Sequence, residues 1–106
     1  MWCRVILLIA LLSCLICNAQ AQQTGDAGAG AAYAERVCAK CHAIDLTSDS
    51  PEPTATPFRD VANTPGMTAI ALTVWLTTSH PTMPNIVLDK QDLDNVIAYI
   101  LTFKNE

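Results

Sequence analysis

Histidine, positive charge and long apolar runs are all scarce in this chain of 106 residues, and each shortage closes off a class of function. The only two histidines are His42 and His80, so a zinc centre, which takes four ligands, has few imidazoles to draw on. Six lysines and arginines stand against ten carboxylates, for a formal net charge of −4. Nothing in that balance suits a nucleic-acid backbone; an acidic surface chiefly aids solubility and favours partners with complementary patches. The longest apolar run, Val5 to Cys17, is thirteen residues with one polar member, Ser13. That is short of the ~20 residues a membrane span requires.

The run has another use. Arg4 precedes it with positive charge, and Ala19-Gln20-Ala21 follows with small residues at the positions a signal peptidase reads. Residues 1–21 are therefore expected to be a secretory signal cleaved after Ala21, leaving residues 22–106 as one small domain. The alternatives are an uncleaved anchor, or lipidation of Cys14, because Leu11-Leu12-Ser13-Cys14 loosely resembles a bacterial lipobox. Of the five cysteines, Cys3, Cys14 and Cys17 fall in this leader and only Cys38 and Cys41 in the mature chain, which fits export to a periplasm. The mature chain sets five cations, Arg36, Lys40, Arg59, Lys90 and Lys104, against all ten carboxylates, a net charge of −5. Arg36 precedes the two cysteines and Lys40 lies between them, a hint about docking, although a solvated helix face has the same composition.

Those cysteines stand in Cys38-Ala39-Lys40-Cys41-His42. On a helical turn, the spacing puts two thiols and an imidazole on one face. Each thiol can add across one vinyl group of a haem, while the imidazole of the next residue ligates the iron. A zinc site would need two further donors, a thioredoxin-like pair would need a βαβ context that the chain does not offer, and a plain disulfide leaves His42 without a role. One covalently bound haem c, held by Cys38 and Cys41 with His42 as the proximal iron ligand, accounts for all five positions.

The remainder reads as helices and loops. Asp26 is placed to cap a helix from Ala27 to Cys41, in which Gly30, eight residues before the first haem cysteine, lets another helix approach closely. Residues 43–56 are loop, broken by Pro51, Pro53 and a run of Asp and Ser. Pro57 or Pro53 is positioned to set a carbonyl against the outer nitrogen of His42. Phe58 to Asn63 forms one or two helical turns. Met67 reads as packing. Thr68 caps a helix over Ala69 to Thr78; its threonines and valine look strand-like, but there is no second strand to pair with. Trp75 on that helix is a candidate to cover the haem edge and donate its indole N–H to a propionate, or else a core tryptophan.

In Ser79-His80-Pro81-Thr82-Met83-Pro84-Asn85 the two prolines force an extended backbone that presents one thioether. Met83 is thus the candidate distal iron ligand, with His80 the rival. Asp89 caps a last helix, where Leu93, Val96, Ile97, Ile100 and Leu101 make the strongest apolar stripe of the chain. That helix is expected to cross the first near Gly30.

Taken together, the attachment motif, the Pro81-Thr82-Met83-Pro84 segment and the terminal helix resemble the class I cytochromes c, in particular the small monohaem kind of the bacterial periplasm. The resemblance spans residues 26–104. It implies an all-α fold of three to four helices wrapped round one haem, thioether links at Cys38 and Cys41, iron ligation by His42 and Met83, and Gly30 at the helix crossing. Ala34 stands where the family often has an aromatic, with Tyr33 beside it, and Ala43 where a glycine commonly follows the haem histidine. The implied role is one-electron transfer between periplasmic or respiratory redox proteins by a monomeric carrier, not an enzyme. Six ligands leave the iron no open position, and no acid, base or nucleophile constellation remains once the haem residues are assigned. Two other readings follow if one element is changed: a diatomic-ligand sensor or weak peroxidase if Met83 is labile, and a membrane-tethered subunit of an oxidase or dehydrogenase if the leader is kept.

Overall fold

The computed structural model describes residues 25–79 and 82–105. The signal, its cleavage site, the Cys14 alternative and the rival ligand His80 lie outside the described residues. Four helices account for the regular structure among them: α1 (Ala27–Val37), α2 (Phe58–Asn63), α3 (Ala69–Thr77) and α4 (Lys90–Leu101). The expected all-α architecture is what is found.

Each helix start follows from a local side chain. Asp26 accepts from the Ala29 amide (2.9 Å) and Thr68 from that of Ala71 (3.1 Å). Asp89 does the same for Asp92 (2.8 Å). Each satisfies one amide that the first helical turn leaves without a carbonyl. The strand-like composition of α3 is accommodated by its threonines. Thr73, Thr77 and Thr78 donate their hydroxyls to the carbonyls of Ala69, Thr73 and Val74, four residues back, and Thr78 itself is extended and ends the helix one residue earlier than expected.

The hub is α4, against which α1, α2 and α3 all pack. Its stripe Val96, Ile97 and Ile100 is buried together with Ala34, Phe58, Ala62, Met67 and Leu72 from the other elements. At ~1.5–3 kcal/mol for each large aliphatic side chain, these contacts hold the helices together. The crossing of α1 and α4 depends on Gly30, where a Cβ would overlap the Asn95 carbonyl and crowd Tyr99 Cβ at 2.9 Å. Buried Asn95 adds a second tie, since its Oδ1 accepts from the Asp26 amide at 2.8 Å. Met67 is in the core, as its reading as packing requires, and its carbonyl accepts from Lys104 Nζ.

One boundary differs from expectation. Helix α1 stops at Val37 instead of running to Cys41. The Ala34 carbonyl accepts from both Cys38 and Ala39 (2.8 Å each), which spends it and breaks the register. The Cys38 carbonyl then closes a separate turn, accepting from Cys41 (3.1 Å) and His42 (2.9 Å). The five-residue motif is thus its own turn, set on the end of the helix.

Candidate functional site

Cys38, Cys41 and His42 are brought together by that turn. Both cysteines are free thiols and half-buried, and burial pushes the Cys38 thiol up to about 11, so it stays protonated. Among the described residues no three of His, Cys, Asp and Glu are grouped so as to hold a metal ion, which leaves the zinc alternative without a ligand set there.

His42 Nδ1 lies 2.7 Å from the Thr56 carbonyl. A carbonyl only accepts, so the proton is on Nδ1 and the lone pair of the neutral ring is on Nε2, the form in which an imidazole binds iron. The acceptor corrects the expectation for Pro57 and Pro53. Pro57 is the N-cap of α2, and its carbonyl is taken by the amides of Asp60 and Val61 (3.0 Å each). The carbonyl one residue earlier is left for His42.

The segment around His42 is held by several ties. The Phe58 amide donates to the Ala43 carbonyl (2.9 Å), that of Ala43 to Ser50 Oγ (3.0 Å), and that of Glu52 to the Cys41 carbonyl (3.1 Å). The Phe58 ring sits against the imidazole, with centroids 5.6 Å apart at 47°. Tyr99, on α4, donates its hydroxyl to the Ile44 carbonyl at 2.6 Å. Farther along the loop, Asp45 accepts from Thr47 and Ser48, which with Arg59 hold its carboxyl down to about 2, and Arg59 donates to the Ser48 carbonyl (2.6 Å).

Of the other candidates, Met83 is half-buried on the segment between α3 and α4, and Trp75 is 55% exposed on α3. Trp75 therefore does not sit in the core of the protein. Beside it Val74 and Ile70 are also exposed, and Val87 is 88% exposed. Residues 61–88, the stretch that carries all four, contain no Asp, Glu, Lys or Arg. The two thiols and the oriented imidazole are the donor set that a covalently held haem requires.

Thr56, Phe58 and Tyr99 were not legible as site residues. The clue at Thr56 was the X-Pro step, which makes the residue extended and turns its carbonyl away from the following helix. The clues at Phe58 and Tyr99 lay only in tertiary structure.

Comparison with known proteins bears on the whole described chain. The sequence pattern of the family Cytochrome c matches residues 27–104. A cytochrome c-552 of Bradyrhizobium diazoefficiens is 29% identical over 92 residues, which cover 87% of this chain and 88% of that protein. No solved structure matches at a significant level. With a family match running from the first residue of α1 past the end of α4, across the two thiols and the imidazole of residues 38–42, the chain belongs to the cytochrome c family of haem c electron carriers.

Proposed function

We propose that this protein is an exported one-electron carrier in which Cys38 and Cys41 hold haem c through thioethers, His42 is the proximal ligand and Met83 the distal one. The observation that carries the reading is the His42 Nδ1 to Thr56 carbonyl contact of 2.7 Å, directly after two free thiols. Cys38 and Cys41 would hold the haem by adding each S–H across a vinyl group, sulfur to one carbon and hydrogen to the other, so that no oxidant would be needed. The haem, when bound, supplies the one-electron change. The chain supplies the rest. Thr56 fixes the ring and raises its basicity, and the stiff Pro-flanked backbone at Met83 offers a soft neutral thioether that favours the reduced form. Val74, Trp75 and Val87 offer apolar area for the macrocycle to cover, and Trp75 also carries an N–H able to donate to a propionate.

The proposed setting is the periplasm, with the leader removed after Ala21, the carrier acting as a monomer, and redox proteins as donor and acceptor. No helix among the described residues is long and apolar enough to cross a membrane. The test is an optical spectrum, oxidised and reduced, with the intact mass, of protein exported from a host that attaches haem. A haem-sized mass increment, low-spin bands and the weak far-red thioether-to-ferric band are expected. Covalent haem without that band overturns Met83 ligation, and a chain without haem overturns the site. Rapid binding of carbon monoxide by the reduced protein marks the sensor or peroxidase alternative, and recovery in the membrane fraction marks the tethered one.

A further inference from the structure

We propose that Tyr99 is a positioning residue for the proximal histidine: from α4 it grips both sides of the clasp that holds the His42 imidazole, and so sets the strength of the hydrogen bond from His42 to Thr56. The inference rests on the reading of His42 as iron ligand and adds to it a residue 57 positions away in sequence.

The clasp consists of two short segments lying side by side, residues 42–44 and 56–58. Two hydrogen bonds join them, His42 Nδ1 to the Thr56 carbonyl and the Phe58 amide to the Ala43 carbonyl. Two bonds across a long loop are a weak register, because no sheet continues it on either side. Tyr99 touches both segments. Its hydroxyl donates to the Ile44 carbonyl on one (2.6 Å), and its ring meets the Phe58 ring edge-on from the other, at 6.3 Å and 64°. Phe58 in turn lies against His42. Tyr99 is itself fixed, by Phe103 at 5.1 Å and by the close helix crossing at Gly30, which brings its Cβ against α1. The helix that ends in the haem motif and the helix that bears Tyr99 are therefore one rigid pair, and the tyrosine transmits that rigidity to the clasp.

The chemical consequence follows from the acceptor. A carbonyl close to Nδ1–H makes the imidazole a stronger donor to ferric iron. Letting the clasp slacken weakens that donation and raises the reduction potential.

The test uses the exported holoprotein and two readouts, solvent exchange of the His42 Nδ1 proton by NMR in the diamagnetic ferrous form, and the reduction potential. Tyr99→Phe keeps the ring and removes the hydroxyl. Exchange faster by roughly fivefold, the factor one neutral hydrogen bond is worth, with an upward shift in potential, supports the proposal. Phe58→Leu, which removes the ring contact on the other segment, is expected to move both readouts the same way and serves if Tyr99→Phe does not accumulate as holoprotein. Thr68→Ala is the control. It removes the cap on the Ala71 amide at the start of α3 without touching the clasp, Tyr99 or Phe103, so it lowers stability and leaves both readouts in place. If Tyr99→Phe and Phe58→Leu match the wild type, or move no more than Thr68→Ala, the proposal is overturned. A wild-type protein with no His42 resonance in the haem-shifted region overturns the ligand reading itself.

Discussion

At the scale of single residues, the chemistry is set by which oxygen atoms are already spoken for. Pro57 has a carbonyl at nearly the right place for His42, but the first turn of α2 has consumed it, and Thr56 serves instead. Asp45 shows the same economy in its loop. Its carboxyl, held well below its usual range of 3.8 by the Ser48 and Thr47 donors, contributes stability that is fully present above about pH 4 and is lost as pH falls through about 2. Asp45→Asn is expected to flatten the fall in melting temperature between those limits, read by thermal unfolding at several acidic pH values. For Met83 the expectation is spectroscopic. Met83→Ala should remove the far-red band of the oxidised protein and let the reduced protein bind carbon monoxide, while the haem stays attached; an unchanged band would assign the distal position to another residue.

At the scale of elements, the crossing of α1 and α4 is the contact least tolerant of change. Gly30→Ala puts a methyl group where the Asn95 carbonyl already is, and a backbone carbonyl cannot rotate away as a side chain can. A loss of at least ~1–3 kcal/mol is expected, as for other overpacked interiors. Gly28→Ala is the comparison, because its new methyl meets only the Asp26 carboxylate at 3.2 Å; denaturant midpoints of the two variants should separate clearly. The three caps were legible in the sequence, since Asp26, Thr68 and Asp89 act on amides three residues ahead and need nothing from the rest of the fold. The crossing at Gly30 was legible too, from spacing. The end of α1 was not, because it depends on one carbonyl being shared between two amides. Nor was the partner of His42, which depends on where α2 begins, or the role of Tyr99, which depends on two segments far away in sequence, the one at Ile44 by 55 residues.

At the scale of the molecule, the protein core is small. Leu72 and Val96 are the largest fully enclosed side chains among the described residues, and much of α3 shows its apolar groups to water. A domain of this size has little surplus stability. The haem is therefore expected to be part of the fold, and the double variant Cys38→Ala, Cys41→Ala, prepared without haem, should melt lower by at least ~10 °C or lose its cooperative transition, as followed by far-UV circular dichroism.

Because α1, α2 and α3 all pack on α4, and α4 follows all three in sequence, the order of synthesis and the order of assembly are tied together. A protein that emerges from its amino terminus onward presents Cys38 and Cys41 long before the helix on which α1 packs. Until the final dozen helical residues arrive there is no scaffold for α1, α2 or α3 to settle on, so the thiols stay within reach of whatever machinery installs the cofactor. The expected order is therefore attachment first and packing of α4 second.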